Sequence, residues 1–311
     1  MRYGFGVDVG GTTCKMGLFE ETGNLVEKWE IRTNTSNAGS EILDNILSSI
    51  NRKMDFLSIE KSNVIGIGVG VPGPVTQKGE RCSCVNLFWK DMPVKEILEQ
   101  KSGLPIRVAN DANVAAMGEL WKGSGKGCQS LVLITLGTGV GSGIILKGRI
   151  LEGVHGAGGE IGHMKVRENE SIACNCGKYG CLEQYASARG ITQRARMALE
   201  QQQYDTLLEP NALGAKAIFD AAKSGDLLGL KLVEELGQVL GQAMANVACV
   251  IDPECFIIGG GVSKAGEPLL RAIKNGYLRY ALDACSETKI QLAELGNDAG
   301  IYGCMGMLLT E

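Results

Sequence analysis

Alternating apolar residues near the start of the chain predict three strands followed by a helix. The strands are expected at residues 3–9, 14–19 and 25–32, and a glycine-rich turn joins the first two. Apolar residues then recur at helical spacing between Ile42 and Met54. The chain therefore opens in β-β-β-α order, with a glycine-rich hairpin tip at its beginning.

Strand and helix patterns alternate through the rest of the chain. Further strands are predicted at residues 64–71, 106–109, 130–136, 144–147 and 255–258. Helices are predicted at residues 94–100, 110–122, 185–203 and 299–309, with one long helix stopped by Asp252-Pro253 and another from about residue 267. The alternation predicts an α/β protein.

The second half of the chain opens as the first half does. DVGGTT at residues 8–13 and LGTGVG at residues 136–141 occupy equivalent hairpin tips, which indicates two related α/β halves. We expect a small domain of residues 1–118 together with the terminal helix 299–311. A large domain of residues 119–298 would then carry a cysteine-rich loop at residues 160–183.

Composition restricts the class of protein. The chain has 311 residues, of which 44% are hydrophobic and 21% charged, and no apolar run approaches the roughly 20 residues of a membrane helix. Asp8 interrupts the place where a signal peptide would be apolar. These features predict a cytoplasmic protein with no membrane partner. A net charge of −4 without long runs of one sign weighs against a nucleic-acid partner.

Three glycine-rich turns follow predicted strands. At such turns backbone N–H groups can approach phosphate oxygens, because no Cβ blocks the way. None of the turns matches GxxxxGK[ST] or the GxGxxG of a dinucleotide site. A single turn of this kind is equally well explained by hairpin geometry. Three of them, with Asp8 and Thr12 at the first, favour a nucleotide.

One histidine and three cysteines lie close together in the sequence. His163, Cys174, Cys176 and Cys181 offer one imidazole and three thiolates, the set that closes a tetrahedral Zn²⁺ site. A closed site has no position for activated water, so we expect a structural zinc rather than a hydrolytic one. The other eight cysteines are interpreted mostly as small core residues, with Cys82 and Cys84 as a pair of free thiols.

The three turns resemble those of the actin, Hsp70 and sugar-kinase superfamily. The resemblance implies two ribonuclease-H-like domains around a central cleft that binds ATP and Mg²⁺, with Asp8 holding Mg²⁺ through water. The residues it implies around the nucleotide are Gly10, Gly11, Thr12 and Thr13, then Gly137, Thr138 and Gly139, then Gly259, Gly260 and Gly261. Many relatives carry lysine directly after the first Gly-Gly-Thr, where this chain has Thr13. Lys15 is therefore assigned no catalytic role.

The segment GEIGHMKV…CNCGKYGCLEQYAS resembles the signature of the ROK family, and the likeness extends over nearly the whole chain. It implies zinc bound by the four residues above and Asp111 as catalytic base. The residues it implies around a sugar are Gly73, Asn110, Asp111, Glu160, His163 and Glu183. The activity implied is phosphorylation of a hexose by ATP, with the 6-hydroxyl of glucose favoured over fructose, allose or N-acetylmannosamine.

Other interpretations remain open at this stage. Asn110 or Asp111 could serve only as a helix N-cap, and Glu160 and Glu183 could be ordinary surface residues. A sugar-responsive regulator without turnover is the alternative from another class. Regulators of this family carry a DNA-binding domain before the first hairpin, whereas two residues precede it here. The family likeness further implies a homodimer or homotetramer.

Overall fold

The computed structural model describes residues 1–76, 81–201 and 204–310. The chain divides into two compact units. The first unit comprises Met1–Gln129, Gly143–Gly159 and Glu294–Glu311, and the second comprises Ser130–Ser142 and Glu160–Ala293. The predicted domain bounds at residues 118 and 298 stay a prediction.

Twelve strands occur in the described residues. They are β1 (Tyr3–Val9), β2 (Thr13–Glu20), β3 (Leu25–Arg32), β4 (Val64–Val71), β5 (Cys82–Cys84), β6 (Trp89–Met92), β7 (Ile106–Asn110), β8 (Leu131–Leu136), β9 (Val140–Leu146), β10 (Arg149–Ile150), β11 (Cys255–Gly259) and β12 (Lys289–Leu292).

Ten α-helical segments occur in the same residues. They are α1 (Ser36–Gly39), α2 (Ile42–Phe56), α3 (Val94–Ser102), α4 (Asp111–Lys122), α5 (Glu183–Ala186), α6 (Ala188–Glu200), α7 (Ala215–Lys223), α8 (Leu227–Ile251), α9 (Glu267–Tyr280) and α10 (Ala299–Leu309). None of the described helices is long and apolar enough to cross a membrane.

The sheet of the first unit has the order β3-β2-β1-β4-β7. The strands β1, β2 and β3 are antiparallel, as the hairpin pattern predicts, while β4 and β7 continue parallel to β1. Burial alternates strictly along β3, because this edge strand has one face on the core and one in solvent.

The terminal helix α10 packs against β1, β4 and α4 in the first unit. Glycines make this approach possible: a Cβ at Gly68 would lie 1.9 Å from the carbonyl oxygen of Cys304, and one at Gly303 would lie 1.6 Å from that of Val114. Ile301 and Met305 are buried in the contact. Each such side chain contributes roughly 1.5–3 kcal/mol when fully buried, which holds the helix on the sheet.

The second five-stranded sheet has the order β10-β9-β8-β11-β12, with β8, β11 and β12 parallel. In the second unit the long helix α8 packs closely on α9. Glycine again allows the close approach of the two helices, since a Cβ at Gly241 would lie 2.2 Å from the amide nitrogen of Tyr277. The predicted end of α8 at Asp252 is confirmed.

Two predicted elements differ from the structure. The strand predicted at residues 144–147 begins earlier in the structure, because β9 spans Val140–Leu146. Gly143 lies in this strand against α4, where a Cβ would come within 2.5 Å of the Ala112 carbonyl oxygen. The helix predicted at residues 185–203 is interrupted by Ser187, which is extended and caps α6 by accepting a hydrogen bond from the Gly190 amide. Its predicted end at residue 203 lies outside the described residues.

Candidate active site and metal centre

Polar residues gather at the carboxyl ends of the parallel strands in the first unit. Asp8 is the next-to-last residue of β1, Gly73 follows β4, and Asn110 ends β7. The parallel register pairs Asp8 with Gly70 and Asn110 with Val71, so the three strand ends are adjacent. This edge of a parallel sheet is where ligands bind in open α/β folds.

Asn110 is fixed by two sets of hydrogen bonds. Its side-chain oxygen accepts from the amides of Ala112 and Asn113, and this caps helix α4. Its side-chain nitrogen donates to the carbonyl oxygen of Gly73 at 3.1 Å. Asn110 is therefore the N-cap of α4, and the same side chain also contacts Gly73, another residue predicted around a sugar.

Asp111 occupies the first turn of α4 directly after this cap. Its Oδ1 accepts a hydrogen bond from the Ala112 amide at 2.8 Å. Desolvation by surrounding atoms raises the pKa of Asp111 above its ordinary value, although the hydrogen bonds to Ala112 and Asn110 oppose the rise. Asp111 is exposed, so a ligand can reach it from solvent. Because its pKa is raised, its carboxylate binds a proton more readily than an ordinary aspartate does.

The carboxyl group of Asp8 lies close enough to Asp111 for the two charges to interact. Burial and then the charge of Asp111 raise the pKa of Asp8 to about 6, while Lys15 lowers it. Lys15 is the direct partner of Asp8 in the β1–β2 ladder, and its Nζ donates to the Asn297 carbonyl oxygen at 3.1 Å. Two neighbouring carboxyl groups with raised pKa values form a place that favours a cation.

The tip of the first hairpin is held by a residue that the sequence pattern does not single out. Thr33 Oγ1 donates to the carbonyl oxygen of Gly10 at 2.7 Å, and the Thr33 amide donates to that of Thr12 at 2.9 Å. The Gly10 amide donates to the Thr13 carbonyl oxygen, while Gly11 and Thr12 are exposed. Thr33 follows the third strand without any motif, so only the structure reveals its contribution.

The other two glycine turns lie side by side in the second unit. Parallel pairing of β8 with β11 aligns Thr135 with Gly259, so the turn that begins at Gly137 and the turn that begins at Gly259 follow adjacent strands. A Cβ at Gly260 would lie 2.5 Å from the carbonyl oxygen of Leu136, and its φ of 82° suits glycine. Thr138 and Gly261 are exposed at the tips. The structure thus brings together two of the three predicted phosphate turns.

Glu183 contacts both a glycine turn and the cysteine-rich loop. Its Oε2 accepts a hydrogen bond from the Val140 amide at 3.0 Å, and a Cβ at Gly139 would lie 2.3 Å from the same oxygen. Its Oε1 lies 3.8 Å from the Sγ of Cys174. Glu183 is therefore not an ordinary surface residue, because its carboxylate joins two loops of the second unit.

His163, Cys174, Cys176 and Cys181 each direct one ligand atom into a single cluster, and these atoms all lie within 4.8 Å of one another. The Cys174 Sγ lies 3.8 Å from His163 Nδ1, and the Cys176 Sγ lies 3.7 Å from the Cys181 Sγ. Two sulfurs at about 2.3 Å from a tetrahedral zinc are separated by about 3.8 Å. The cluster therefore fits a four-coordinate zinc.

The loop that carries His163 is attached to the start of β9. The amide of Ile161 donates to Ser142 Oγ at 3.2 Å, and the His163 amide donates to the carbonyl oxygen of Glu160 at 3.1 Å. The Glu160 side chain is exposed. His163 presents Nδ1 to the cysteines, so the ring places a single nitrogen in the cluster.

The remaining cysteines only partly follow the interpretation as core residues. Cys14, Cys82, Cys84, Cys255, Cys285 and Cys304 are buried. Cys249 is exposed, and Cys128 is half-buried. For Cys249 the prediction is wrong, because this position of α8 faces solvent even though its sequence neighbours are apolar. Cys82 and Cys84 lie on β5 and form no disulfide.

Two α/β units with glycine turns at the carboxyl ends of parallel strands have the fold of the actin and sugar-kinase superfamily. A ROK glucokinase from Streptomyces griseus, solved with glucose and AMPPNP, has a TM-score of 0.76 at 33% identity and 98% coverage of both chains. A ROK hexokinase from Thermus thermophilus has a TM-score of 0.81 at 29% identity, covering 97% of this chain and 96% of that one.

The sequence profile of the ROK family matches residues 4–311, and the chain belongs to this family. Among individual relatives, a glucokinase from Halalkalibacterium halodurans is 44% identical over 308 residues. That alignment covers 97% of this chain and 93% of the relative. The expected family and fold are thereby confirmed.

Proposed function

We propose that the protein is an ATP-dependent hexose kinase that transfers the γ-phosphoryl group of ATP to the 6-hydroxyl of glucose. The reaction makes it a phosphotransferase with an alcohol group as acceptor. The 44% identity to a glucokinase over nearly the full length supports this proposal. The related glucokinase from Streptomyces griseus binds glucose and an ATP analogue, which supports the same substrates here.

The observation that carries the proposal is the placement of Asp111. A sugar hydroxyl is a weak nucleophile, so phosphoryl transfer requires an aligned proton acceptor. Asp111 is accessible, is held at the start of α4 by the Asn110 cap, and has a pKa raised by desolvation. A carboxylate with a raised pKa accepts the hydroxyl proton more readily than an ordinary aspartate does. We assign Asp111 as the general base.

The sugar contacts that we propose are Gly73, Asn110, Asp111, Glu160, His163 and Glu183. Three of these side chains already use one polar atom in a contact within the protein. The side-chain nitrogen of Asn110 donates to the Gly73 carbonyl oxygen, and Oε2 of Glu183 accepts from the Val140 amide. His163 faces the cysteines with Nδ1, so Nε2 is the ring nitrogen that we assign to the sugar. Glu160 is exposed and offers both carboxylate oxygens as acceptors.

The nucleotide contacts that we propose are the three glycine turns, residues 10–13, 137–139 and 259–261. Their exposed tips present backbone amides without side chains in the way. Asp8 is proposed to hold Mg²⁺ through water, since its carboxyl group lies beside Asp111 in a place that favours a cation. When bound, Mg²⁺ neutralises charge on the phosphates.

Zinc is proposed at His163, Cys174, Cys176 and Cys181, with a structural role. Four protein ligands complete a tetrahedral shell and leave no position for a reacting water. The ion would fix the loop that carries Glu160 and Glu183 beside the second glycine turn. We also propose that the protein forms a homodimer or homotetramer, that it is cytoplasmic, and that its domains meet at the predicted bounds, residues 118 and 298.

A hexose panel tests the proposed function. The protein is incubated with ATP, Mg²⁺ and one of glucose, fructose, allose, mannose or N-acetylmannosamine, while ADP release is followed and products are identified by mass spectrometry. We expect the fastest ADP release with glucose, and a product that glucose-6-phosphate dehydrogenase oxidises. A faster rate with another hexose would reassign the substrate. Sugar binding without any phosphosugar would favour the regulator.

A further inference from the structure

Two cysteines lie side by side on strand β5, next to a residue proposed to contact the sugar. Cys82 and Cys84 are separated by one residue, and alternate residues of a strand point to the same face, so both thiols share a face. Both are buried, whereas Ser83 between them is exposed. A hydrogen bond joins their side chains, and no disulfide links them. These two residues, the β5 pair, are therefore neighbouring free thiols.

The hydrogen bond makes the two thiols unequal. It lowers the pKa of Cys84, although burial and the charge of Asp111 oppose the fall. The same hydrogen bond, followed by burial, raises the pKa of Cys82. Cys84 is thus the residue that more readily becomes a thiolate, and the thiolate is the nucleophile in cysteine chemistry. Cys82 stays protonated beside it and can react in a second step.

Three other buried cysteines lie in less reactive surroundings. Burial is the first cause that raises the pKa of Cys14, Cys285 and Cys304. A raised pKa keeps a thiol protonated, and a protonated buried thiol is inert. An oxidant should therefore distinguish the β5 pair from these three residues.

Strand β5 packs directly against Gly73. A Cβ at Gly73 would lie 3.4 Å from Cys84 Sγ and 2.4 Å from the Ser83 carbonyl oxygen. The φ of Gly73 is 134°, a conformation that favours glycine. The Ser83 amide also donates to the carbonyl oxygen of Pro74 at 3.3 Å. A change in the shape of β5 would therefore move the segment that contains Gly73.

Gly73 connects β5 with the other residues proposed around the sugar. Its carbonyl oxygen accepts a hydrogen bond from the side-chain nitrogen of Asn110 at 3.1 Å. Asn110 is the N-cap of α4, and Asp111 follows it directly. A displacement of Ser83 would thus reach Gly73 first and Asn110 next, and both are proposed sugar contacts.

We propose that Cys82 and Cys84 form a peroxide-sensitive dithiol whose oxidation to a disulfide weakens sugar binding. The Cys84 thiolate attacks one oxygen of hydrogen peroxide, the O–O bond breaks, and hydroxide leaves, so Cys84 becomes a sulfenic acid. The Cys82 sulfur then attacks the sulfenic sulfur, the S–S bond forms, and the S–O bond breaks. The Cys82 proton leaves with this oxygen as water, while the first hydroxide takes up the proton that Cys84 had released. The effect on sugar binding rests on the proposed kinase function.

Closing the disulfide requires β5 to change shape. A strand rises about 3.2–3.4 Å per residue, so the Cα atoms of residues two apart are separated by about 6.5 Å. Disulfides most often join Cα atoms about 5.5–6 Å apart. The strand must therefore contract at Ser83, whose carbonyl oxygen lies against Gly73. Reduction of the disulfide by a thiol restores the strand.

Peptide mapping and glucose binding, measured on the same samples, test the inference without turnover. The protein is treated with hydrogen peroxide, its remaining thiols are blocked with N-ethylmaleimide, and it is digested for mass spectrometry. We expect the peptide that contains both cysteines to be unblocked and lighter by two hydrogens. The Kd for glucose from isothermal titration calorimetry should rise about tenfold, the effect of losing roughly one hydrogen bond to the sugar. Dithiothreitol should reverse both changes.

Cys84→Ser and Cys249→Ser are the paired variants. Cys84→Ser lacks the attacking thiolate and should bind glucose equally before and after peroxide. Cys249→Ser replaces an exposed cysteine of α8 and should respond like the wild type. Zinc content is followed in every sample, because the cysteines of the metal cluster are thiols as well.

Three results would overturn the inference. The first is a wild-type protein that forms no disulfide between Cys82 and Cys84, and the second is an equal loss of glucose affinity in Cys84→Ser. The third is a disulfide that leaves the Kd for glucose unchanged. A protein that forms the disulfide and binds glucose more weakly, but phosphorylates no hexose, would refute the proposed function alone.

Discussion

The amide of Val140 donates a 3.0 Å hydrogen bond to Oε2 of Glu183. Val140 directly follows the second glycine turn, and the other oxygen of Glu183 lies 3.8 Å from the Sγ of Cys174. A single carboxylate therefore connects a proposed phosphate turn with the proposed zinc cluster. A zinc ion bound in this cluster would therefore hold the second glycine turn in place through Glu183.

Two glycines of the same turn should respond differently to alanine. A Cβ at Gly139 would lie 2.3 Å from Glu183 Oε2, whereas a Cβ at Gly137 meets no atom within 4 Å. Gly139→Ala should displace the carboxylate from the buried Val140 amide and lower the free energy of unfolding by about 1–3 kcal/mol. Gly137→Ala should keep the stability but weaken ATP binding, because the new methyl group narrows the approach to the turn.

Urea unfolding and the KM for ATP distinguish these two effects. The expected pattern is a lower unfolding midpoint only for Gly139→Ala, with a higher KM for ATP in Gly137→Ala. Equal stabilities for the two variants would show that Glu183 does not hold the turn.

Two exposed cysteines provide a paired test of the metal centre. Cys176 belongs to the four-ligand cluster, and Cys249 lies on α8 outside it. Cys176→Ser should abolish stoichiometric zinc and lower the Tm by about 5 °C or more, because a structural ion contributes directly to folding. Cys249→Ser should retain about one zinc per chain and the wild-type Tm.

Elemental analysis of the purified variants gives the zinc content, and circular dichroism gives the Tm. A wild-type protein without zinc after growth in zinc-supplied medium would contradict the metal assignment. Retention of zinc by Cys176→Ser would remove Cys176 from the ligand set.

Asp8 should make stability depend on pH. Burial and the charge of Asp111 raise its pKa from 3.8 to about 6 in the folded protein. The folded state thus binds this proton more tightly than the unfolded state does. The stabilising contribution is complete below about pH 4 and is lost as the pH rises through about 6.

Replacing Asp8 by asparagine removes the charge while keeping the shape. Without magnesium or nucleotide, Asp8→Asn should therefore be more stable than wild type at pH 8, by about 1–3 kcal/mol. The difference should shrink as the pH falls toward 4, and urea unfolding at several pH values measures it. A difference that does not change with pH would show that Asp8 is not buried as described.

Much of the fold follows from local patterns. The bounds of β1, β3, β4 and α10 agree with the predicted elements, because each is a continuous or strictly alternating apolar run. At glycines the hydrophobic pattern can predict the wrong element. Gly143 precedes the strand predicted at residues 144–147 but lies within β9, where only a residue without a side chain fits against Ala112. Such close approaches are set by packing partners far away in the sequence.

The candidate site was predictable to a similar degree. Short spacing within one loop identified the four cluster residues, whose ligand atoms do converge. Thr33 was missed because its hydrogen bonds reach Gly10 and Thr12 across the hairpin. Outside the candidate site, the structural role of Glu119 also depends on distant residues: its buried carboxylate accepts hydrogen bonds from Ser124, Glu294 and Leu295, and two of these partners are more than 170 residues away.

The most direct test of the account is the turnover of Asp111→Asn. Asparagine keeps the size of the side chain at the start of α4 but cannot accept the hydroxyl proton. With glucose and ATP saturating, kcat should fall about 10²–10⁴-fold, while calorimetric glucose binding and zinc content match the wild type. A kcat within tenfold of wild type would contradict the assignment of Asp111 as the base.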